Sequence, residues 1–161
     1  MELKPDKPRN NISYFYNQDL NGKYLVQNQQ GTNADVDAEY VHVLFNFPMD
    51  EPLKDGDIYV FGGFSDFNCY DDYRMNYIPE FKAYELDMLA KQGYYNYQYV
   101  FVPKKTSEVV DESYFEGSFY ETENDYVIYV YYQPFGSRYD RLIGTTVINS
   151  LKRNLKIPWF K

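Results

Sequence analysis

The sequence predicts an all-β protein, an antiparallel β-sandwich of seven to nine strands. Three observations carry this reading. Aromatic residues make up 20% of the chain, with 20 Tyr and 12 Phe, residue types that suit a pleated, half-buried surface. The stretch from Gly93 to Val102 is nearly all aromatic or β-branched and alternates: Tyr95, Tyr97, Tyr99 and Phe101 share one face, and Tyr94, Asn96, Gln98, Val100 and Val102 the other. Turn signals recur at short spacing, with no sustained helical period.

Taken in order, residues 1–11 read as a linker, because Lys4-Pro5-Asp6-Lys7-Pro8 has no apolar pattern. The domain then spans 12–149, and residues 150–161 form a basic tail carrying Trp159 and Phe160. Ile12 to Tyr16 is a short strand. Asn21-Gly22 closes a hairpin turn, and Lys23 to Gln27 is the returning strand. Asn28 to Asp35 is a polar loop. Ala38 to Phe47 alternates cleanly, with Val41, Val43, Phe45 and Phe47 opposite Tyr40, His42, Leu44 and Asn46. Asp57 to Phe61 is short, almost wholly apolar and central. Gly62-Gly63 bends the chain into a loop that reaches Tyr73. Met75 to Ile78 and Phe81 to Met88 are strands, although Leu86 to Ala90 also fits a helical turn. The Tyr-rich strand follows the turn at Gly93. Pro103 to Asp111 is a charged loop and Glu112 to Tyr120 is ambiguous. Asp125 to Tyr132 is a strong strand, and Arg138 to Asn149 holds the last one.

At 161 residues one domain is expected, able to bury about 70% of its unfolded surface without disulfides. A net charge of −8 argues against nucleic-acid binding, which needs clustered Lys and Arg. It also argues against seating on anionic lipid. No apolar run reaches the length of a membrane helix, so no direct membrane insertion is expected. No signal peptide precedes the linker-like start, which reads as a fragment of a longer secreted protein.

Candidate chemistry is sparse. His42, inside an alternating strand, reads as a structural histidine. With one His and one Cys, Cys69, no His/Cys metal set forms and no nucleophile context is visible. Asp66, Asn68, Asp71 and Asp72 cluster oxygens, but their spacing is not that of a calcium loop. Glu121, Glu123 and Asp125 are an alternating carboxylate set of the kind any β-surface offers. No metal, cofactor or catalytic residue is expected, and the protein is read as no enzyme. The loop residues Phe64, Asp66, Phe67, Tyr70 and Tyr73 are the expected partner contact, since aromatic side chains bind at modest entropic cost.

Four ordered segments carry a family resemblance: Asp19-Leu20-Asn21-Gly22-Lys23-Tyr24, Lys91-Gln92-Gly93-Tyr94-Tyr95-Asn96-Tyr97, Glu116 to Tyr126, and Arg138-Tyr139-Asp140-Arg141-Leu142-Ile143-Gly144. Together they resemble the C-terminal part of the plug protein family of the type IX secretion system. That resemblance implies a periplasmic, non-enzymatic protein that closes the periplasmic mouth of an outer-membrane β-barrel translocon, its partner. It marks Asn21, Gly22, Gln92, Gly93, Tyr95, Tyr97, Glu121, Asn124, Tyr139, Asp140, Arg141 and Gly144 as family-motif residues, which are expected to serve structure. Tyr139, Asp140 and Arg141 are expected to tie the last strand to its neighbours. Asp57 to Val102 is also similar to the early-set sandwiches that bind starch and glycogen. This likeness implies an immunoglobulin-like fold and an alternative function, a carbohydrate-binding module with Tyr and Phe platforms. Coplanar exposed rings around Phe64 to Tyr73 would favour sugar.

Overall fold

A computed structural model describes residues 1–13, 20, 22–27, 33–105 and 109–152, and among these it shows nine antiparallel strands. They are β1 (Tyr24–Val26), β2 (Tyr40–Pro48), β3 (Gly56–Phe61), β4 (Asn76–Ile78), β5 (Ala83–Lys91), β6 (Gly93–Tyr95), β7 (Gln98–Pro103), β8 (Asp125–Tyr132) and β9 (Arg141–Asn149). Two single-turn helices, α1 (Ala34–Asp37) and α2 (Ser113–Glu116), interrupt them. The chain is all-β and sandwich-like, as its alternation predicts.

The chain forms two compact units, Met1–Ser118 and Phe119–Lys161. The boundary falls inside the stretch that the sequence presents as one domain. Alternation records which faces are buried, but it does not record which strands share a core.

In the first unit, β2, β5 and β4 form one sheet in the order β2-β5-β4, and β3 pairs with β7. Phe45 and Phe47 of β2 and Tyr84 and Leu86 of β5 meet Ile58 and Val60 of β3 and Tyr99 and Phe101 of β7 in one core. Full burial of such side chains stabilises by about 1.5–3 kcal/mol each. The other face of the β3–β7 pair is also buried, through Tyr59, Phe61, Val100 and Val102. That is why Asp57 to Phe61 reads as a continuous apolar run rather than an alternating one. Leu86 to Ala90 is strand, not a helical turn, because its backbone pairs with β2 from Val41 to Phe45.

The Tyr-rich stretch is two strands rather than one. Gly93–Tyr95 pairs with β1, and Gln98–Pro103 pairs with β3. Between them the Asn96 amide donates to the Lys23 carbonyl, while Asn96 Oδ1 accepts from the Leu20 amide. Asn96 thus carries the chain from one sheet to the other.

Residues 1–11 are not a linker. Glu2 bridges Leu44 in parallel, the Leu3 amide donates to the Leu44 carbonyl, and the Asp6 amide donates to Asn46. The Arg9 and Asn10 amides both reach the Phe115 carbonyl. A Pro-rich polar segment satisfies its backbone on the outer edge of β2, and no side-chain pattern announces that. Ile12 and Ser13 are not strand, and the rest of the strand expected at Ile12 to Tyr16 lies outside the described residues. So do Asn21, Trp159 and Phe160.

The second unit is the β8–β9 hairpin. Its register runs from Asp125 opposite Asn149 to Tyr132 opposite Arg141, with a bulge beside Val130. A turn from Pro134 to Ser137 closes it, with Gly136 at φ 83. That dihedral is easy for glycine and costly for other residues.

Candidate functional site

The loop after β3 is locked by its own backbone. Ser65, fully buried, donates its hydroxyl to the Gly62 carbonyl at 2.9 Å. The Phe67 amide reaches the same carbonyl, and Asn68 closes on Ser65 through its amide and on Asp66 through its side chain. Asp66 and Phe67 both take left-handed dihedrals, φ 50 and φ 53. Asp tolerates this conformation, whereas for Phe it stores strain.

That backbone sorts the five predicted contact residues. Phe64 turns inward, packing edge-on against Tyr73 at 5.4 Å and Tyr95 at 6.2 Å between ring centroids. The Tyr73 hydroxyl donates to the Phe64 carbonyl, and burial raises its pKa above the ordinary tyrosine value. Phe67 leans edge-on over Phe61 yet remains 51% exposed, and Tyr70 is 54% exposed. Asp66 is exposed beside them. Asp71 and Asp72 open the short 3-10 turn that ends at Tyr73. Among the described residues no three His, Cys, Asp or Glu side chains gather in a metal-holding group.

Two of the motif segments, Asp19 to Tyr24 and Lys91 to Tyr97, meet at this loop. The Gly63 amide donates to the Gly22 carbonyl, and a Cβ on Gly63 would sit 2.8 Å from that oxygen. The Phe67 ring lies over Gly22, where a Cβ would approach it to 3.0 Å. Gly93 lets β6 approach β1, since a Cβ there would meet the Leu25 carbonyl oxygen at 2.3 Å. Tyr95 stacks on Tyr24 with centroids 5.3 Å apart and planes 5° from parallel. Its hydroxyl donates to the Lys91 carbonyl. Gln92 links the residue after β1 to the residue before β2, its carbonyl accepting from the Gln27 amide and its amide donating to the Glu39 carbonyl. Beside it opens a cleft of about 710 Å³, floored by Val41, Val43, Phe45, Met88 and Ala90 and walled by Tyr95 and Tyr97.

The other motif residues lie in the second unit. Asn124 closes the base of the hairpin, exchanging bonds with Ser150 and donating its side-chain amide to Thr122. Glu121 has no hydrogen-bond or ion-pair partner among the described residues. The Arg141 guanidinium donates to the Tyr139 hydroxyl at 3.0 Å and lies over that ring. This bond stays inside the motif and ties β9 to no other strand. Asp140 is exposed and has no partner among the described residues. Gly144 faces Val130 with room for a Cβ.

One constellation has no sequence signal. The hydroxyls of Tyr97 and Tyr99 both donate to Asp6 Oδ2, at 2.8 and 2.9 Å. Burial, reinforced by the Asp6 carboxylate, pushes both phenols far above their ordinary pKa. Beside them Glu116 accepts from the Tyr99 amide and pairs with Arg9 at 2.9 Å. Burial raises the Glu116 pKa, and Arg9 and the amide oppose that rise. These groups clamp the N-terminal segment and α2 onto β7. His42 Nδ1 sits 2.9 Å from Asp87 on the exposed side of β2 and β5. Cys69 is half-buried, which raises its thiol pKa.

No family model and no curated protein matches the chain. A solved structure of a hypothetical protein from Parabacteroides merdae is similar to it, with 42% sequence identity and a TM-score of 0.79. The match covers 92% of this chain and 37% of that one, so the chain spans well under half the length of that protein.

Proposed function

We propose that the chain is a non-enzymatic protein-interaction domain that meets its partner through the rim formed by Phe67 and Tyr70. The observation that carries this reading is the contrast within the loop. Two aromatic side chains stand half open on a backbone that internal bonds and a strained turn hold in one shape. A preformed aromatic contact loses little entropy on binding. The resemblance of the motif segments gives the partner its class, an outer-membrane β-barrel translocon whose periplasmic mouth the longer protein would close as a plug. That reading places the protein in the periplasm.

The carbohydrate alternative is less well supported. Sugar stacking needs exposed rings in one plane. Here Phe64 and Tyr73 meet at 63° and Phe61 and Phe67 at 67°, and Tyr24 and Tyr95 spend a face on each other. The test is co-purification of the longer protein with its partner from cells, for wild type and for Phe67→Ala combined with Tyr70→Ala. Capture should fall by about tenfold or more, the loss expected when two aromatic anchors are truncated. Unchanged capture would overturn the rim. Turnover of a glycan or peptide, abolished by replacing one carboxylate, would overturn the non-enzymatic reading.

A further inference from the structure

The β8–β9 hairpin has the composition of a sheet covered on both faces. Ahead of its bulge, Tyr126, Ile128 and Val130 share one face with Ile148, while Val127 and Tyr129 share the other with Val147. All seven are exposed. Past the bulge the pattern persists, with Tyr131 opposite Leu142. A sheet with one wet face alternates apolar and polar residues; this ribbon is apolar on both. Phe135 at the turn is wholly exposed as well. Both strands have an outer edge without a ladder partner among the described residues. A lone two-stranded ribbon is marginal in water, and three or more strands or a packed layer are needed to hold one. Open edges with apolar side chains also invite pairing by other chains.

We propose that β8–β9 is the seed of a larger sheet, completed by strands from a further part of the same polypeptide. That part corresponds to the portion of the Parabacteroides merdae protein that this chain does not span. The length relation argues for this occupant: the match takes in nearly the whole of this chain but only 37% of its neighbour. A segment of the same polypeptide is present at high effective concentration, so it covers a sticky ribbon before a second molecule does. The inference is independent of the Phe67 and Tyr70 rim.

Hydrogen exchange tests it in two proteins, the monomeric 161-residue chain and the longer polypeptide. The outward amides of Tyr126–Tyr132 and Arg141–Asn149 should exchange about tenfold or more slower in the longer polypeptide. A second measurement uses Val130→Lys with Val147→Lys, one on each face. The pair should lower the Tm of the longer protein and leave the melting of the 161-residue chain unchanged. Equal exchange in the two proteins would overturn the proposal, as would protection already present in the monomeric 161-residue chain. Protection that grows with concentration of the 161-residue chain, without further gain in the longer one, would assign the ribbon to a second copy and overturn it as well.

Discussion

The Tyr99 hydroxyl donates to Asp6 Oδ2 at 2.9 Å, joining residues 93 positions apart. Tyr97 uses the same oxygen from the same face of the chain. One carboxylate at the start of the chain therefore accepts from two partly buried phenols. Leaving such groups unpaired costs more than the bonds themselves contribute.

Asp6→Ala is expected to destabilise the first unit by about 1–3 kcal/mol, the cost of orphaning buried donors. Asp6→Asn should lose less, because the amide oxygen still accepts. Urea midpoints measure both. A loss from Asp6→Ala no greater than that from Asp50→Ala, an exposed acid, would show that the clamp carries no energy.

Glu116 gives a pH signature. Burial raises its pKa above the 4.5 of an ordinary glutamate, so the folded protein holds this proton more tightly than the unfolded chain does. Between 4.5 and the raised value the folded state binds the extra proton, and this group's contribution to stability falls as pH rises. Glu116→Gln should flatten that part of the profile relative to wild type. Parallel profiles for the two proteins across that window would contradict it.

The two motif glycines Gly93 and Gly144 should part company when a methyl is added. Gly93→Ala drives a Cβ to 2.3 Å from the Leu25 carbonyl oxygen and forces β1 from β6; a loss above about 2 kcal/mol is expected from such overpacking. At Gly144 the nearest atom is Val130 Cβ at 3.9 Å, so Ala should be neutral or stabilising by up to about 1 kcal/mol. Thermal melts of the two variants decide this, and equal effects would refute the reading.

Within the loop, stability and binding should separate. Phe64→Ala removes a ring packed on Tyr73 and Tyr95 and should cost about 2 kcal/mol or more. Tyr70→Ala should stay within about 0.5 kcal/mol, as for other exposed positions, while weakening partner capture. Denaturation curves set beside co-purification yields test the pair; a Tyr70 variant that unfolds as readily as the Phe64 variant would merge the two roles.

Cys69 should alkylate more slowly than an open thiol at neutral pH, because burial raises its pKa and leaves less thiolate. A rate matching that of a small free thiol would place the sulfur in water instead.

By itself the sequence determined the strand content, the two-sided burial of β3, the inward row Val41, Val43, Phe45 and Phe47, the turn at Gly22 and the close approach at Gly93, though not Gly144, which lies inside β9 with room for a Cβ. Each of these is a local property: period two records a buried face, and glycine records a crowded or left-handed backbone. The aromatic loop was legible for the same reason, as a run of rings between a Gly-Gly bend and the next strand. Only the tertiary structure decided which rings turn in and which stay out, because Phe64 and Tyr70 are alike until Tyr95 arrives from another strand. It also decided that residues 1–11 are part of the fold, that the Tyr-rich stretch changes partners at Asn96, and that the hairpin forms its own unit. The acid that satisfies Tyr97 and Tyr99 was beyond the sequence altogether. Hydrogen bonds between distant residues depend on where the chain returns in space, and neither composition nor periodicity records that.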